Sequence, residues 1–429
     1  MTSASVPGSS RRRLLGFTIL PALAAVSPLV VLSVVSRAAG PAGWASALAG
    51  EAVGTFAAIA LAFGWTTIGP ALVATADDAR RGRLYRDALI VRTITAAVAL
   101  PAAMVVCVAI ATDGFELLTA LMGLQGALIA MSYTWFAIGL GDPFAVAVYD
   151  AVPRVIAAIA TALAIGLAGA PIEVYPLAGI AVTVVGTTAY TVRVLRRYPA
   201  AWPRTAELPG LFRRSSPVAV NEAVLGLYSS TPVPLVNVTT ASSAAAGFAS
   251  ADKMVKLGQF LPVTLANALQ FWTAEVHGQA RARRLRTALT AHIAMGLLGW
   301  LVLAVAGNAV SFLLFGERAA APTMIVFVLG FAFACYSTRT SLMRHFLFPA
   351  GTTRTVMIGT LVGSTIGLPT MIALTLAIGP VGTAMGYALT EAIAMAWLVR
   401  RARSSYHELV AQMPPDAVSP VAPEDRIDG

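Results

Sequence analysis

Long runs of apolar residues recur along the whole chain and are separated by short polar stretches. Each run is about 20 residues long, which is the length a helix needs to cross a hydrocarbon core of ~30 Å. Runs of this length predict helices and not barrel strands, because a helix satisfies its own backbone hydrogen bonds within lipid. The pattern predicts twelve membrane spans, near residues 14–36, 43–66, 88–111, 115–139, 147–168, 175–195, 217–237, 246–271, 287–314, 321–345, 353–378 and 381–399.

The composition agrees with an all-α polytopic membrane protein. Apolar residues make up 57% of the 429 positions and charged residues 12%. The mean hydropathy of +0.76 lies well outside the range of soluble globular proteins. The start "SSRRRLLGF" imitates a secretory signal, but its apolar run continues to Ser36, so we expect a retained first helix. The two cysteines, Cys107 and Cys335, fall within predicted spans and indicate no disulfide framework.

Basic residues are distributed unequally between the two sides of the predicted bundle. With the N-terminus placed in the cytoplasm, the inner side carries 20 arginines between Arg11 and Arg403, and the outer side carries only Arg37 and Arg318. The positive-inside rule therefore predicts that both termini are cytoplasmic. The same asymmetry explains the net charge of +10, so we expect no binding of nucleic acid.

A sequence repeat relates the two halves of the chain. The segment "GWASA" at 43–47 recurs as "GFASA" at 247–251, a shift of 204 residues. The same shift carries "SP" at 27–28 onto "TP" at 231–232, and "VLRR" at 194–197 onto "LVRR" at 398–401. An even number of spans per half gives both halves the same orientation, so we expect a pseudo-two-fold axis along the membrane normal and a cavity between the halves.

This repeat predicts a division into two six-helix lobes around a V-shaped central cavity. The predicted segments are a disordered cytoplasmic tail at 1–13, a lobe at 14–195, a basic linker at 196–216, a lobe at 217–399 and a disordered cytoplasmic tail at 400–429. The matched prolines Pro28 and Pro232 lie in the first helix of each lobe. They are either simply tolerated within membrane helices or mark bends that open and close the cavity.

The only two lysines, Lys253 and Lys256, lie inside the eighth predicted span. Lys256 is ten residues into that span, which at ~1.5 Å per residue places it close to the membrane midplane. A lysine there costs ~2.5–3.5 kcal/mol on insertion scales. One arc of the helix is polar, and it carries Asp252, Lys253, Lys256, Gln259, Thr264, Asn267 and Gln270. Three interpretations compete: Lys253 reaches the interface, Asp252 neutralises Lys256 one turn away, or both lysines line a cavity for an anionic head group.

Other ionisable residues within the predicted spans include Glu51, Arg339 and Glu391. Asp150 and Arg154 are one turn apart on the fifth span, a spacing at which the two side chains can pair. Glu222 lies near the cytoplasmic interface, where charged side chains commonly act as anchors. The glycines of the eleventh span, Gly359, Gly363 and Gly367, form a strip that predicts close helix packing.

Several classes of function lack the residues they need. Neither lysine follows a glycine, so no Walker A loop is present. The four scattered histidines form no zinc motif, and no loop outside the membrane is long enough for a catalytic domain. We therefore expect no enzyme and no cofactor, apart from a proton or sodium gradient.

Two segments carry a family resemblance. The first is "SRAAGPAGWASALAGEAVGTF", with an Arg-x-x-Gly-Pro turn before Gly-aromatic, and the second is "AAAGFASADKMVKLGQFLPVTLANALQ", with Gly-aromatic-x-x-Ala-Asp-Lys and a downstream cation. They resemble the polysaccharide-transporter flippases of the multidrug/oligosaccharidyl-lipid/polysaccharide superfamily. The resemblance implies alternating access and movement of undecaprenyl-diphosphate-linked oligosaccharide from the inner to the outer leaflet of a bacterial cytoplasmic membrane. Arg37 matches the arginine of the turn.

The resemblance also implies partners, and its motifs carry over to Arg37, Lys253 and Lys256 but not to Asp150, Arg154 or Glu222. We expect a monomer working with membrane lipid, glycosyltransferases and a polysaccharide polymerase. The candidates for substrate binding are Lys253, Lys256, Arg37, Arg154, Gln259 and Asn267. The candidates for ion coupling are Asp150, Glu222 and Asp252.

Three alternatives stay open. A cation-coupled antiporter of small molecules or drugs has the same fold. A major-facilitator porter also has six plus six helices, but "ATADDARRGRLYRD" lacks the leading glycine of that family's loop. A non-transporting membrane scaffold would have no use for a polar face at the midplane.

Overall fold

The structure, a computed structural model, describes the backbone of residues 7–276 and 278–411 and the side chains of 31–270, 272–276 and 278–404. All regular elements in these residues are helical. The α-helices are α1 Pro7–Ala62, α2 Trp65–Ala74, α3 Asp78–Ile110, α4 Glu116–Leu128, α5 Thr134–Leu140, α6 Pro143–Val146, α7 Val152–Ala168, α8 Val174–Arg197, α9 Leu208–Ser230, α10 Pro232–Thr239, α11 Ser242–Gly258, α12 Phe260–Ala274, α13 Gly278–Phe315, α14 Thr323–Ser341, α15 Thr353–Ile378 and α16 Pro380–Ala411. Two π-helical segments, Ala147–Ala151 and Leu342–Leu347, and three 3₁₀ turns, Ile129–Met131, Thr205–Glu207 and Glu317–Ala319, join them.

Eight helical stretches within the described residues are long and apolar enough to cross a membrane. They are Val31–Ala62, Asp78–Ile110, Glu116–Leu140, Pro143–Ala168, Val174–Arg197, Gly278–Phe315, Thr323–Leu347 and Thr353–Ile378. Large apolar side chains on them point outward, such as Val98, Leu167 and Val305, which are more than 70% exposed. Such a surface suits contact with acyl chains, and the all-α polytopic fold class is confirmed. The predicted spans 217–237 and 246–271 are each divided between two helices, and the count of twelve stays a prediction.

Helix breaks occur where the sequence removes a hydrogen bond or supplies a glycine. Gly40 has φ 64° and ψ −177°, a combination that glycine adopts readily, and it divides α1 into two arms that correspond to the first two predicted spans. Pro232 and Pro234 separate α9 from α10, and Pro262 separates α11 from α12, because proline has no N–H to donate. The backbone is helical through Pro28. Only the second proline of the matched pair therefore marks a break.

The predicted tails are partly helical. The first helix begins at Pro7, inside the predicted tail 1–13, and α16 continues to Ala411, inside the predicted tail 400–429. The described residues of both segments have helical backbone that continues the neighbouring helices, and the predicted division of the chain into tails, lobes and linker stays a prediction. Residues 1–6 and 412–429 lie outside the described residues. In the predicted linker only one 3₁₀ turn, Thr205–Glu207, lies between α8 and α9.

The order of helices follows the sequence repeat. Helical stretches that begin at residues 78, 116, 143 and 174 have counterparts that begin at 278, 323, 353 and 380. Each of these shifts lies within six residues of 204. The two repeated segments also occupy equivalent environments, since Trp44 and Phe248 are both fully buried, as are Ser46 and Ser250. The division into two lobes, and the symmetry that relates them, stay predictions.

The bundle has an arginine-rich end and an arginine-poor end. The first carries the clusters at 80–86, 281–286 and 400–403, and the second carries Gly40 and the end of α13. At the arginine-poor end α1, α11 and α13 pack tightly. The indole Nε1 of Trp44 donates to Ser250 Oγ at 2.9 Å, the rings of Trp44 and Phe315 are 5.2 Å apart, and Ser36 Oγ donates to the Phe315 carbonyl at 3.0 Å. These contacts hold the three helices together at this end.

The glycine strip of α15 packs as expected. A Cβ added at Gly363 would lie 3.0 Å from the carbonyl oxygen of Thr390, and one at Gly367 would overlap the Thr390 hydroxyl. The absence of side chains therefore lets α15 lie directly against α16, which confirms the prediction of close packing.

Candidate substrate cavity

A cavity of about 200 Å³ lies between the second arm of α1 and the helices α9 to α11. Its polar lining consists of Glu51, Thr55, Ser229, Ser230, Asp252, Lys253 and Lys256. The first two come from α1, the serines come from the end of α9, and the last three come from α11. The cavity therefore contains charge from two parts of the chain about 200 residues apart.

The break between α9 and α10 makes one wall of the cavity polar. Pro232 and Pro234 cannot donate to the carbonyls four residues earlier, those of Tyr228 and Ser230. These carbonyls lose their helical partners beside the hydroxyls of Ser229 and Ser230, which line the cavity. Broken helices commonly bind substrates or ions at the midplane of transporters.

Lys253 forms an ion pair with Glu51. Its Nζ lies 2.5 Å from Glu51 Oε1 and 2.8 Å from Oε2, across 202 residues of sequence. The Lys253 side chain is 15% exposed and that of Glu51 is 32% exposed. Lys253 therefore does not extend to a solvent interface. The bridge holds α1 against α11.

The sequence predicts Glu51 to be an ionisable residue within a span and assigns it no partner. A signal was available in the repeat. A shift of 204 residues carries position 51 onto position 255, which is next to the second lysine. The repeat therefore implied that the carboxylate and the lysines lie at the same depth.

Lys256 pairs with Asp252 one helical turn away. The Lys256 Nζ lies 2.7 Å from Asp252 Oδ2, and the carboxylate is the more buried of the two, with 8% of its side chain exposed against 31% for the lysine. Lys256 therefore pairs with Asp252 and also lines the cavity. These were two of the interpretations that the sequence left open. With all four groups ionised, the charges of this cavity sum to zero. An anionic ligand has to compete with the two carboxylates.

Asp150 and Arg154 form a second pair at a spacing of four residues. Arg154 Nη2 lies 2.5 Å from Asp150 Oδ1, so the predicted i,i+4 contact is present. Arg154 also lines a second cavity of about 40 Å³ together with Gln125, Thr161 and Tyr175. The two cavities share no lining residue.

Arg37 is bound at the arginine-poor end. It donates to the carbonyls of Leu313 at 2.7 Å and Leu314 at 3.4 Å. These carbonyls belong to the last turn of α13, where a cation is favoured by the helix dipole. Arg37 therefore adds to the contacts that join α1 to α13 at this end, and it is not among the residues that line the lysine cavity.

Three further candidates also lie outside the lining of the lysine cavity. Asn267 Oδ1 accepts from Arg344 Nη1 at 3.0 Å. Glu222 accepts from the Thr67 hydroxyl. Gln259 lies at the junction of α11 and α12, and its Nε2 is buried without a hydrogen-bond partner among the described residues. Of the nine candidates, the structure brings Asp252, Lys253 and Lys256 together in this cavity.

A buried polar cluster supports the serine wall from behind. Arg339 Nε lies 2.9 Å from Glu391 Oε2 and its Nη2 lies 3.2 Å from Oε1. The Tyr228 hydroxyl donates to Glu391 Oε1 at 2.8 Å. The two charged side chains are only 6% and 2% exposed. The cluster ties α9, α14 and α16 together directly before Ser229 and Ser230.

Comparison with known proteins identifies the fold. No protein-family profile matches the sequence, and no curated protein matches it. Among solved structures, the chain is similar to the lipid II flippase MurJ in an inward closed conformation, with a TM-score of 0.70 and 12% identity over 92% of this chain and 90% of that one. It is also similar to an inward-facing multidrug resistance MATE family transporter of the MOP superfamily, with a TM-score of 0.66 and 14% identity over 91% and 96%.

A third solved structure gives the same result. The Vibrio cholerae MATE transporter VcmN, in a mutant form, has a TM-score of 0.58 and 14% identity over 95% of this chain and 98% of that one. Identities this low establish the fold and not the cargo. The protein therefore shares the all-α fold of this flippase and these MATE transporters.

Proposed function

We propose that this protein moves undecaprenyl-diphosphate-linked oligosaccharide from the inner to the outer leaflet of a bacterial cytoplasmic membrane by alternating access. One observation carries the proposal. The only two lysines of the chain both line a cavity between α1 and α9–α11. A lysine ammonium is a compact charge that suits a phosphate group, and such a charge would be costly within lipid unless it served a purpose.

The ion pairs suggest how cargo binding is coupled to movement. A diphosphate carries more negative charge than one carboxylate, so it can replace Glu51 as the partner of Lys253. That exchange breaks the bridge between α1 and α11. Cargo bound at the lysines would therefore loosen the two halves from each other, while Ser229 and Ser230 donate neutral hydrogen bonds to the phosphates or the first sugar.

The cavity is smaller than the proposed cargo, which supports a transport cycle with at least one further state in which the cavity is more open. Its volume of about 200 Å³ lies below the 300–1,000 Å³ common for ligand pockets. It is too small for a lipid-linked oligosaccharide, so the halves must part to admit one. The packing of Trp44, Ser250 and Phe315 holds α1, α11 and α13 together at the arginine-poor end, and this supports a state in which cargo enters from the arginine-rich, cytoplasmic end.

The remaining parts of the proposal follow from this cycle. The two lobes would be residues 14–195 and 217–399, with both termini in the cytoplasm. The protein would act as a monomer and would receive its cargo from glycosyltransferases and deliver it to a polysaccharide polymerase. Asp252 would be the ion-coupling group, since its protonation would free Lys256 for an anion.

A second candidate is a cation-coupled exporter of small cationic molecules. The observation that favours it is the pair of carboxylates, Glu51 and Asp252, in the same cavity. A cationic drug would replace the lysines as the partner of these carboxylates. The two candidates therefore predict opposite roles for the lysines.

Vesicles that contain the purified protein test the proposal. The probe is a fluorescent short-chain polyprenyl-diphosphate disaccharide, and its arrival in the outer leaflet is measured by quenching. Lys256→Ala should abolish transport at normal protein abundance, and Lys256→Arg should retain part of it because the charge is kept.

The control separates cargo binding from structural pairing. If Lys256 only neutralises Asp252, the double variant Asp252→Ala, Lys256→Ala should transport like the wild type, since no unpaired buried carboxylate remains. That outcome would reject the proposal. Export of a fluorescent cation by the wild type, with loss in Glu51→Gln and no effect of Lys256→Ala, would establish the second candidate instead.

A further inference from the structure

A groove that is separate from both cavities lies on the outside of the bundle at its arginine-rich end. It has a volume of about 310 Å³ and lies between α13, α14 with the following π-helical segment, and α16. It shares no lining residue with the lysine cavity. The proposed function leaves it without a role.

The polar and apolar parts of this groove are separated along its length. Arg286, Leu289 and Ile293 line it from α13, at spacings of three and seven residues, which puts them on one face of the helix. Arg286 is near the start of α13 and Ile293 lies ~10 Å deeper along the axis. On α16, Arg403 is nearer the helix end than Val399, which also lines the groove. Two guanidinium groups therefore stand at the mouth and apolar side chains lie deeper.

The π-helical segment Leu342–Leu347 shapes the wall between α13 and α16. Leu342 and Phe346 of this segment line the groove. A π-helical turn contains one extra residue, so it widens a helix locally, and such turns often occur at functional sites. The Thr338 hydroxyl donates to the Ala334 carbonyl at 3.0 Å. The inner wall therefore offers a ligand apolar contact.

We propose that this groove binds an anionic phospholipid of the surrounding bilayer. The phosphate would accept from Arg286 and Arg403, and one acyl chain would lie against Leu289, Ile293 and Phe346. Arginine is suited to this task because its planar donors match a phosphate. Basic pockets between membrane helices on the cytoplasmic side are known to bind acidic head groups. Arg286 also interacts within the protein, and a guanidinium has five N–H donors to share.

The charges select an anionic lipid over a zwitterionic one. Phosphatidylethanolamine brings its own ammonium beside the phosphate, which the two arginines would repel. Phosphatidylglycerol brings a phosphate and neutral hydroxyls. A lipid in this place would hold α13, α14 and α16 together, and the last two of these helices are also joined by Arg339 and Glu391. Bound lipid should therefore stabilise the folded protein.

Native mass spectrometry on the purified full-length chain in detergent tests this inference. Dioleoyl phosphatidylglycerol and dioleoyl phosphatidylethanolamine are titrated separately, so that the acyl chains are matched. We expect one phosphatidylglycerol to bind in preference to phosphatidylethanolamine. Removing one arginine near a lipid surface costs about a fivefold loss of affinity, so Arg286→Gln, Arg403→Gln should lower it by about 25-fold.

Two controls keep the test specific. Arg283→Gln, Arg400→Gln removes the same two charges from the same two helices at exposed positions outside the groove lining, and it should leave the affinity nearly unchanged. Ile293→Trp keeps both arginines but fills the apolar part, and it should lower the affinity for phosphatidylglycerol. Equal losses in Arg283→Gln, Arg400→Gln and in Arg286→Gln, Arg403→Gln would mean only general attraction to acidic lipid and would overturn the proposal. Stronger binding of undecaprenyl phosphate than of phosphatidylglycerol would also overturn it.

Discussion

Replacing Lys253 with methionine leaves the Glu51 carboxylate without the ammonium that contacts both of its oxygens at 2.5 and 2.8 Å. The partner change Glu51→Gln removes the opposite charge and nearly preserves shape. Together with the double variant they form a double-mutant cycle, which isolates the energy of the bridge from the other effects of each substitution. The bridge joins α1 to α11, so this cycle measures how strongly two parts of the proposed transport cavity hold each other.

The burial of the pair sets the expected magnitude. Two unit charges at ~4 Å attract each other by ~4 kcal/mol at an effective dielectric constant of 20. Exposed pairs contribute about 0.2–1 kcal/mol, and breaking a fully buried pair costs about 3–5 kcal/mol. With side chains 15% and 32% exposed, the Glu51–Lys253 pair falls between these limits. We expect a coupling energy of about 1–2 kcal/mol.

Unfolding of the purified protein in a mild detergent, followed by intrinsic tryptophan fluorescence, measures the four variants of the cycle. Arg81 and Asp78 provide the matched control, because they form a pair at 3.0 Å with side chains 25% and 72% exposed. The same charge removals there should give a coupling energy below about 1 kcal/mol. A Glu51–Lys253 coupling no larger than that of the control would refute the reasoning that partial burial strengthens this bridge.

Three further predictions concern the fold and its orientation. Arg339→Met should lower the free energy of unfolding by about 3–5 kcal/mol, because it leaves Glu391 charged and buried, and adding Glu391→Met should recover most of the loss; thermal unfolding measures both. Gly40→Ala should cost about 1–2 kcal/mol, since its φ of 64° is unfavourable for a residue with a Cβ, and the same assay applies. A cysteine at Thr240 should react with an impermeant thiol reagent added to intact cells, whereas one at Ala206 should not.

The glycine and cysteine predictions each have an internal control. Gly210→Ala places a methyl group in open space at a helical glycine without positive φ, so it should be neutral or stabilising. An equal loss in both glycine variants would contradict the argument from φ. The native cysteines Cys107 and Cys335 are buried, so labelling of the parent protein should be weak. Labelling at Ala206 in intact cells would overturn the assigned orientation.

Parts of the candidate site could be predicted from the sequence where the two partners of an ion pair lie within one helical turn of each other. Asp252 and Lys256, and likewise Asp150 and Arg154, are four residues apart, and helix geometry alone brings such side chains together. The polar arc that carried Asp252, Lys253 and Lys256 also faces a cavity. Gln259 and Asn267, placed on the same arc, do not line it. The reason is Pro262, which interrupts the helix after Gly258 and ends the regular spacing.

The sequence by itself determined the all-α class, the approximate helix boundaries and the repeat. The length of an apolar run and a fixed shift of 204 residues can both be read along the chain, without knowing which helices are neighbours. Tertiary structure alone decided which distant charges meet. Glu51 and Lys253 are 202 residues apart, and Arg339 and Glu391 are 52 apart. Their contact depends on how each helix is rotated about its axis and on which helices are neighbours. Apolar runs in the sequence determine neither, because lipid favours many rotations of a helix almost equally. Burial then forces these charges to pair.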